Sequence, residues 1–211
     1  MKNITIPSAT ISRLPVYLRS LGDIATAQTT ISSIQLAEIA GVNAAQVRKD
    51  LSNLGATGVR GVGYSVADLR LDLREALGLT HGYHVAIVGA GNLGAALANY
   101  GGFASWGFEV GAVFDTDPHK IGETIGDLTI DDLVHLGTIV KQRGIEIGIV
   151  ATPASGAQDV VNRFVDAGIR SILNFAPAVV HVPADVALRR VDLSTELQIL
   201  TYHLHHRKAA G

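Results

Sequence analysis

The sequence predicts an α/β protein: an N-terminal winged helix-turn-helix, then a Rossmann-like doubly wound parallel sheet, then a terminal helix. Three observations predict it. The run GVNAAQVRKDLSNLGATGVRGVGY, Gly41 to Tyr64, joins a helix-turn-helix pattern to a glycine-rich wing. The run VAIVGAGNLG, Val85 to Gly94, is an apolar strand opening into a glycine-rich turn and a helix. From Tyr83 onward, short apolar strands alternate with amphipathic helical stretches, the rhythm of parallel βαβ units.

The expected boundaries are 1–79 for the winged helix, 80–191 for the Rossmann domain and 192–211 for the terminal helix. Residues 8 to 21 read as a first helix, with Ser8 as its cap and Ile11, Leu14, Leu18 and Leu21 at helical spacing. Pro15 is awkward inside it, so a kink or a later start near Leu14 is an alternative. A polar loop runs from Thr26 to Ile31. Ser32 and Gln35 form a capping box for a second helix through Ala40. Gly41-Val42-Asn43 is a tight turn, and Asn43 with Gln46 repeats the capping pattern for a third helix ending near Asn53. Gly55, Gly58, Gly61 and Gly63 flank two short extended pieces, as a wing hairpin needs. Ser65 caps a fourth helix through Asp68, and the linker is Gly78 to Gly82.

In the second half, strands are expected at Val85–Val88, Val110–Phe114, Ile145–Val150 and Ser171–Leu173, with Val179–Val182 and Ala187–Val191 as short additions. Helices fall at about 93–100, 131–142 and 156–167. The last helix runs from Asp192 to about Arg207 with Leu193, Leu197, Leu200 and Leu204 on one face.

Composition narrows the function classes. With 47% apolar and 17% charged residues in 211, the chain can bury a substantial core. It has no apolar run of about 18 residues, so no membrane span is expected. MKNITIPSAT lacks a signal-peptide core, and a cytoplasmic protein is the simple expectation. The absence of cysteine removes disulfides, cysteine nucleophiles and Cys-type zinc fingers together. The net charge of −2 hides an asymmetry: residues 1–80 hold eight Lys/Arg and six Asp/Glu, and the remainder nine and thirteen. So mild a bias says little by itself, and the placement of Arg48, Lys49 and Arg60 matters more.

The glycine fingerprint points to a pyrophosphate site. Gly89 permits the tight turn, Gly91 lets the backbone approach the phosphates, and Gly94 lets helix and strand pack closely. The loop Gly89-Ala90-Gly91-Asn92-Leu93-Gly94 presents amides at a helix N-terminus, whose dipole favours negative charge. Asp115 ends the next strand, where a carboxylate accepts from an adenosine ribose and repels a 2′-phosphate; NAD(H) is therefore favoured over NADP(H). An ordinary tight loop and a strand-end turn residue are the bland alternatives. Thr152-Pro153 and Asn174-Phe175 follow later strands on the edge where such sheets bind ligands.

The third helix carries Gln46, Arg48, Lys49 and Ser52, and Arg60 sits among the wing glycines. This pattern fits a helix entering a major groove, with a wing residue reaching a minor groove. A charged, solvated face on a helical cap is the alternative. A dehydrogenase would share the fingerprint but needs a proton donor and a substrate pocket. None of His81, His84, His119, His135, His181, His203, His205 and His206 sits convincingly beside the pocket motifs, so no catalytic residue is expected. His203 and His206 share a helix face, yet two histidines make a poor metal site and none is expected. A site for another adenine nucleotide, CoA or ATP, remains open.

The runs IPSATISRLPVYLRSL, QVRKDLSNLGATGVRGVGY, VGAGNLG, FDTDPHKIG, ILNFAP and VDLSTELQIL together resemble the Rex redox-sensing transcriptional repressors of bacteria, in order and over nearly the whole chain. The resemblance implies a homodimer whose terminal helix is exchanged between subunits, and an inverted-repeat operator in double-stranded DNA. It implies that NADH binding reorients the winged helices and releases the operator, whereas NAD+ competes weakly or supports DNA binding. The recognition residues map onto Arg48 and Lys49, with Arg60 in the wing. The interdomain switch maps onto Arg19, Tyr100 and Asp192, Tyr100 being also a candidate cofactor contact and Arg19 with Asp192 a candidate latch. One departure is visible: where many members carry a SYFGSYG-like aromatic wing, this chain has Ser52-Asn53-Leu54-Gly55-Ala56-Thr57-Gly58.

Overall fold

The structure, a computed structural model, describes residues 6–24 and 28–208. Thr26, where the first loop was expected to start, lies outside the described residues. The chain divides into two compact units, Met1–His81 and Gly82–Gly211.

The first unit contains α1 (Ser8–Ile11), α2 (Leu14–Gly22), β1 (Thr30–Ile31), α3 (Ser33–Ala40), α4 (Ala44–Asn53), β2 (Tyr64–Ser65) and α5 (Val66–Ala76). The stretch 8–21 divides into α1 and α2, the second starting at Leu14, where the alternative of a later start placed it. Pro7, not Ser8, occupies the cap of α1, and no side chain caps it. Pro15 falls in the first turn of α2, where its missing N–H breaks no helical bond. Downstream, local chemistry sets the ends as the sequence suggests. Ser32 and Gln35 close a reciprocal capping box on α3, and Gly41 ends that helix with a left-handed φ of 67°. Asn43 accepts from the Gln46 N–H to start α4, and Ser65 accepts from the Asp68 N–H to start α5.

The wing is shorter than the expected hairpin. Val59 and Gly63 exchange both backbone bonds around a turn holding Arg60, and this is an isolated bridge, not a ladder. The second extended piece pairs antiparallel with β1 instead, Ile31 opposite Tyr64. Closely spaced glycines supply no side chains to stabilise a ladder. Leu14, Tyr17, Leu21, Leu36, Val47, Leu51, Leu69 and Leu73 form the buried interior.

The second unit contains β3 (Tyr83–Val88), α6 (Asn92–Ala98), α7 (Gly102–Ser105), β4 (Phe108–Asp115), β5 (Thr124–Ile125), β6 (Leu128–Asp132), α8 (Leu136–Gln142), β7 (Ile145–Val150), α9 (Ala154–Asp166), β8 (Ser171–Asn174), β9 (Ala187–Arg190) and α10 (Leu193–Lys208). The sheet order is β5-β6-β4-β3-β7-β8-β9, parallel except for the edge strand β5. Starting at β3, this is the 3-2-1-4-5-6 order of a dinucleotide-binding sheet. Both faces are covered. Ala86, Val88, Ala112 and Phe114 pack toward α8 and α9, while Val85, Ile87 and Val113 pack on the opposite face.

Two expectations fail here. The helix expected from 131 starts later, because residues 131–132 complete β6 and Asp132 caps the following 3-10 turn through the Val134 N–H. Val179–Val182 forms no strand; Val180 buries individually in a segment between Pro177 and Pro183, which cannot donate to a ladder. Among the described residues no helix is long and apolar enough to cross a membrane.

Candidate functional site

The strand order reverses between β3 and β7, so the connections leaving their carboxyl ends run to opposite faces of the sheet and leave a crevice between them. A cavity of about 440 Å³ lies there. Val88, Gly89 and Gly91 line it from the end of β3 and the turn after it, Asp115, Thr116 and Lys120 from the end of β4 and the turn after it, and Ala151, Thr152, Pro153, Ser155 and Gly156 from beyond β7.

Each fingerprint glycine has its own reason. Gly89 has φ of 106°, and a Cβ there would stand 2.6 Å from the Ala151 carbonyl oxygen. A Cβ on Gly94 would collide with the Gly89 carbonyl, so α6 crosses β3 only because that side chain is missing. Gly91 faces open space, leaving its backbone accessible to a large anion at the start of α6.

Asp115 is only 9% exposed. Its Oδ1 accepts from the Thr116 and Asp117 N–H groups at 2.8 and 2.9 Å. Its Oδ2 accepts from the Ala90 N–H at 2.8 Å and from Lys120 Nζ at 3.1 Å. Burial alone would raise its pKa, but the Asp117 and Ala90 amides, Lys120 and the Thr116 amide hold it below the usual carboxylate range. The carboxylate thus fastens the glycine loop to the β4 turn. The cavity therefore presents an Asp115–Lys120 pair, not a lone carboxylate.

Thr152 Oγ1 is buried beside the cavity without a hydrogen-bond partner in the chain. Such a group is normally satisfied, so this wall offers a hydroxyl to a water or to a polar atom of a ligand. Asn174 is different. Its side chain accepts from the Ala176 N–H and donates to the Ala176 and Ala178 carbonyls, pinning the loop after β8. Neither it nor Phe175, which packs with the β3 face of the core, lines the cavity. Tyr100 is exposed and stacks edge-on against Phe103. Ala90, Asn92 and Leu93 shape the loop without lining the cavity. Thr116, Lys120, Ser155 and Gly156 were missed. Lys120 was within reach, because Asp117-Pro118 signals a turn that returns position 120 toward Asp115.

In the first unit, α4 exposes Arg48, Lys49 and Ser52, and Arg60 is exposed in the wing. Arg48 also donates to Ser33 Oγ at 3.0 Å, tying α4 to the start of α3. Gln46 is half-buried, because its amide nitrogen donates to Asp50 Oδ1 at 2.9 Å. Asp50 is fully buried and was not anticipated. Arg13 grips both its oxygens at 2.6 and 2.8 Å, Tyr17 donates at 2.7 Å and Thr10 at 2.9 Å. Burial pushes Asp50 upward, and the Arg13, Tyr17, Thr10 and Gln46 donors more than reverse this, holding it far below the ordinary carboxylate range. Burial and the bond to Asp50 push Tyr17 up to about 12. The signal was present: Asp50 lies between Val47 and Leu51 on the apolar stripe of α4, where a carboxylate must be paired.

Arg19 is exposed on α2, and Asp192, exposed, immediately precedes α10. Asp192 accepts from the Ser194 hydroxyl and N–H, which lowers its pKa and caps α10. These two residues belong to different units. Among the described residues no group of three or more His, Asp or Glu is gathered as a metal site.

Comparison with known proteins fits both halves. Residues 80–178 match the family model "CoA binding domain" and residues 5–52 "Putative DNA-binding protein N-terminus". The redox-sensing transcriptional repressor Rex of Streptomyces coelicolor is 52% identical over 97% of this chain and 79% of its own length. Rex of Desulfitobacterium hafniense is 45% identical over 99% of this chain and all of its own. Among solved structures, RSP, a Rex-family repressor, superposes with a TM-score of 0.89 at 39% identity, covering 97% of this chain and 96% of its own. RSP in complex with β-NAD+ and operator DNA gives 0.89 at 39% identity over 97% of this chain and 95% of its own. RSP with β-NADH gives 0.86 at 38% over 97% and 96%. With such identity over nearly its full length, this chain belongs to the Rex family of redox-sensing transcriptional repressors.

Proposed function

We propose that this chain is a DNA-binding repressor, not an enzyme, that senses the NADH/NAD+ balance: NADH binding reorients the winged helices of a homodimer and releases the operator. One observation carries this reading. A single chain holds both a switch-point crevice and a basic reading helix, and it aligns over 97% of its length with a relative solved with β-NAD+ and operator DNA.

The nicotinamide, when bound, supplies the redox signal, being neutral when reduced and cationic when oxidised. The chain's residues do the rest. Gly89, Gly91 and Gly94 let the α6 amides meet a pyrophosphate, Asp115 with Lys120 receives the adenosine ribose, and Thr152 and Pro153 line the far wall. Asn92, Leu93 and Ala90 hold the loop in shape. Arg48, Lys49, Ser52 and Arg60 contact DNA, and Arg19 and Asp192 are the switch residues. Homodimer formation is supported by α10: Leu193, Leu197, Leu200 and Leu204 are all more than half exposed in the single chain, a stripe that a second copy would cover. The expected site of action is the cytoplasm, where the DNA is.

The CoA-binding description of residues 80–178 favours one second reading, an adenine nucleotide other than NAD(H). One titration separates them. Anisotropy of a labelled TTGTGA-type inverted repeat is followed while NADH, NAD+ and CoA are added in turn. Release by NADH at concentrations where NAD+ and CoA do little supports the redox reading. Tight binding indifferent to NADH refutes it.

A further inference from the structure

We propose that Gln46 reads an adenine in each operator half-site, and that Asp50 holds the Gln46 amide in the reading orientation. This rests on the operator-binding function above and names a base contact within it.

Gln46 lies in the first turn of α4, three residues after the Asn43 cap. Side chains at the start of a recognition helix are the ones that reach base edges. Its neighbours Arg48 and Lys49 suit guanine edges or phosphates. A glutamine amide suits adenine, accepting from N6 with its oxygen and donating to N7 with its nitrogen. That pairing requires the amide the right way round, and here the chemistry leaves no choice. Asp50 is ionised and accepts only, so the Gln46 nitrogen must face it. The carbonyl oxygen and the second N–H remain for a partner, which is the donor–acceptor pair adenine needs.

The same carboxylate is fixed by three other side chains, Thr10, Arg13 and Tyr17. Its position therefore does not depend on Gln46. A side chain freed from rotation in advance loses less entropy on binding and discriminates better. Asp50 is buried and acts through Gln46, as a positioning residue.

The test replaces each adenine of a TTGTGA-type half-site, on either strand, with 7-deazaadenine, which lacks only the N7 acceptor. For the wild-type protein, one position should weaken binding by about tenfold. Gln46→Ala should bind unmodified DNA with a similar loss and be indifferent to the analogue at that position alone. If every adenine position affects Gln46→Ala and wild type equally, Gln46 reads no adenine. In the free wild-type protein, one Gln46 side-chain amide proton should be protected from exchange, its resonance identified by its loss in Gln46→Ala. Fast exchange of both amide protons would remove Asp50 from the scheme. Failure of wild type to bind the unmodified repeat would instead overturn the repressor reading itself.

Discussion

Tyr17→Phe removes one oxygen from a fully buried position and tests the scaffold beneath the reading helix. The lost bond is Tyr17 Oη to Asp50 Oδ2 at 2.7 Å. A hydrogen bond to a charged partner contributes about 1.5–3 kcal/mol. The upward shift of the phenol gives a second, related figure. Tyr17 is pushed from 10.0 to about 12 by burial and by its bond to Asp50. Two units at about 1.4 kcal/mol each amount to about 3 kcal/mol favouring the protonated phenol in the fold. Because the folded pKa is raised, this stabilisation is fully present below pH 10 and is lost as pH rises from 10 toward 12.

The assay is urea unfolding of wild type and Tyr17→Phe, followed by far-ultraviolet dichroism. The two chains differ at one site, so other groups that titrate in alkali cancel in the difference. At about pH 8 the variant should be less stable by about 2–3 kcal/mol. Near pH 12 the difference should largely vanish, because the wild-type phenol then ionises against the Asp50 carboxylate. An equal difference at both pH values, or none at pH 8, would refute the assignment of Tyr17 as a donor to an ionised Asp50.

Three further outcomes are expected. Gly94→Ala places a methyl group against the Gly89 carbonyl and should weaken NADH binding more than about tenfold while operator binding persists, read by fluorescence titration and anisotropy in parallel. Asp115→Asn loses charge at the Ala90 and Lys120 contacts and should lower NADH affinity by about tenfold, together with the preference over NADPH; unchanged selectivity would remove Asp115 from ribose recognition. Asp192→Ala should blunt NADH-driven release while leaving basal operator binding largely intact, with a small loss of stability from the missing cap on α10; global unfolding would instead mark a structural role.

How much of this was legible divides along physical lines. Features set by neighbouring residues were readable: the Ser32–Gln35 box, the Asn43 and Ser65 caps, the glycine fingerprint, and the four central strands with their mostly apolar runs. Features set by distant partners were not. Nothing local says that Asp50 collects donors from Thr10, Arg13 and Tyr17, roughly forty residues upstream, although a carboxylate on an apolar stripe was a clue. The β5–β6 hairpin escaped because its strands are short and its register depends on β4. Asn174 looked like a pocket residue from its place at a strand end. Strand order puts β8 one strand beyond the switch point, and its side chain is spent on its own loop.

The Asp50 cluster also limits how a signal can reach the DNA. Arg13 and Tyr17 stand at the start and in the middle of α2, the helix that carries Arg19, and both are fastened to Asp50 of α4. Parting them would leave the buried Asp50 carboxylate without its donors, at a cost of about 3–5 kcal/mol. Coupling of about 3 kcal/mol already corresponds to a change in DNA affinity of roughly a hundredfold. If the proposed switch at Arg19 is right, a nucleotide has too little free energy to tear α2 from α4, and enough to move them together. The reading helix should keep its internal contacts in both states, and release should come from the relative placement of two intact winged helices on half-sites at fixed spacing. Linkage makes this measurable from the other side. A saturating operator must weaken NADH binding by the factor with which NADH weakens the operator, and it should do so with the Tyr17–Asp50 bond unbroken. An operator that leaves NADH affinity unchanged would show that the two sites share a chain and no switch.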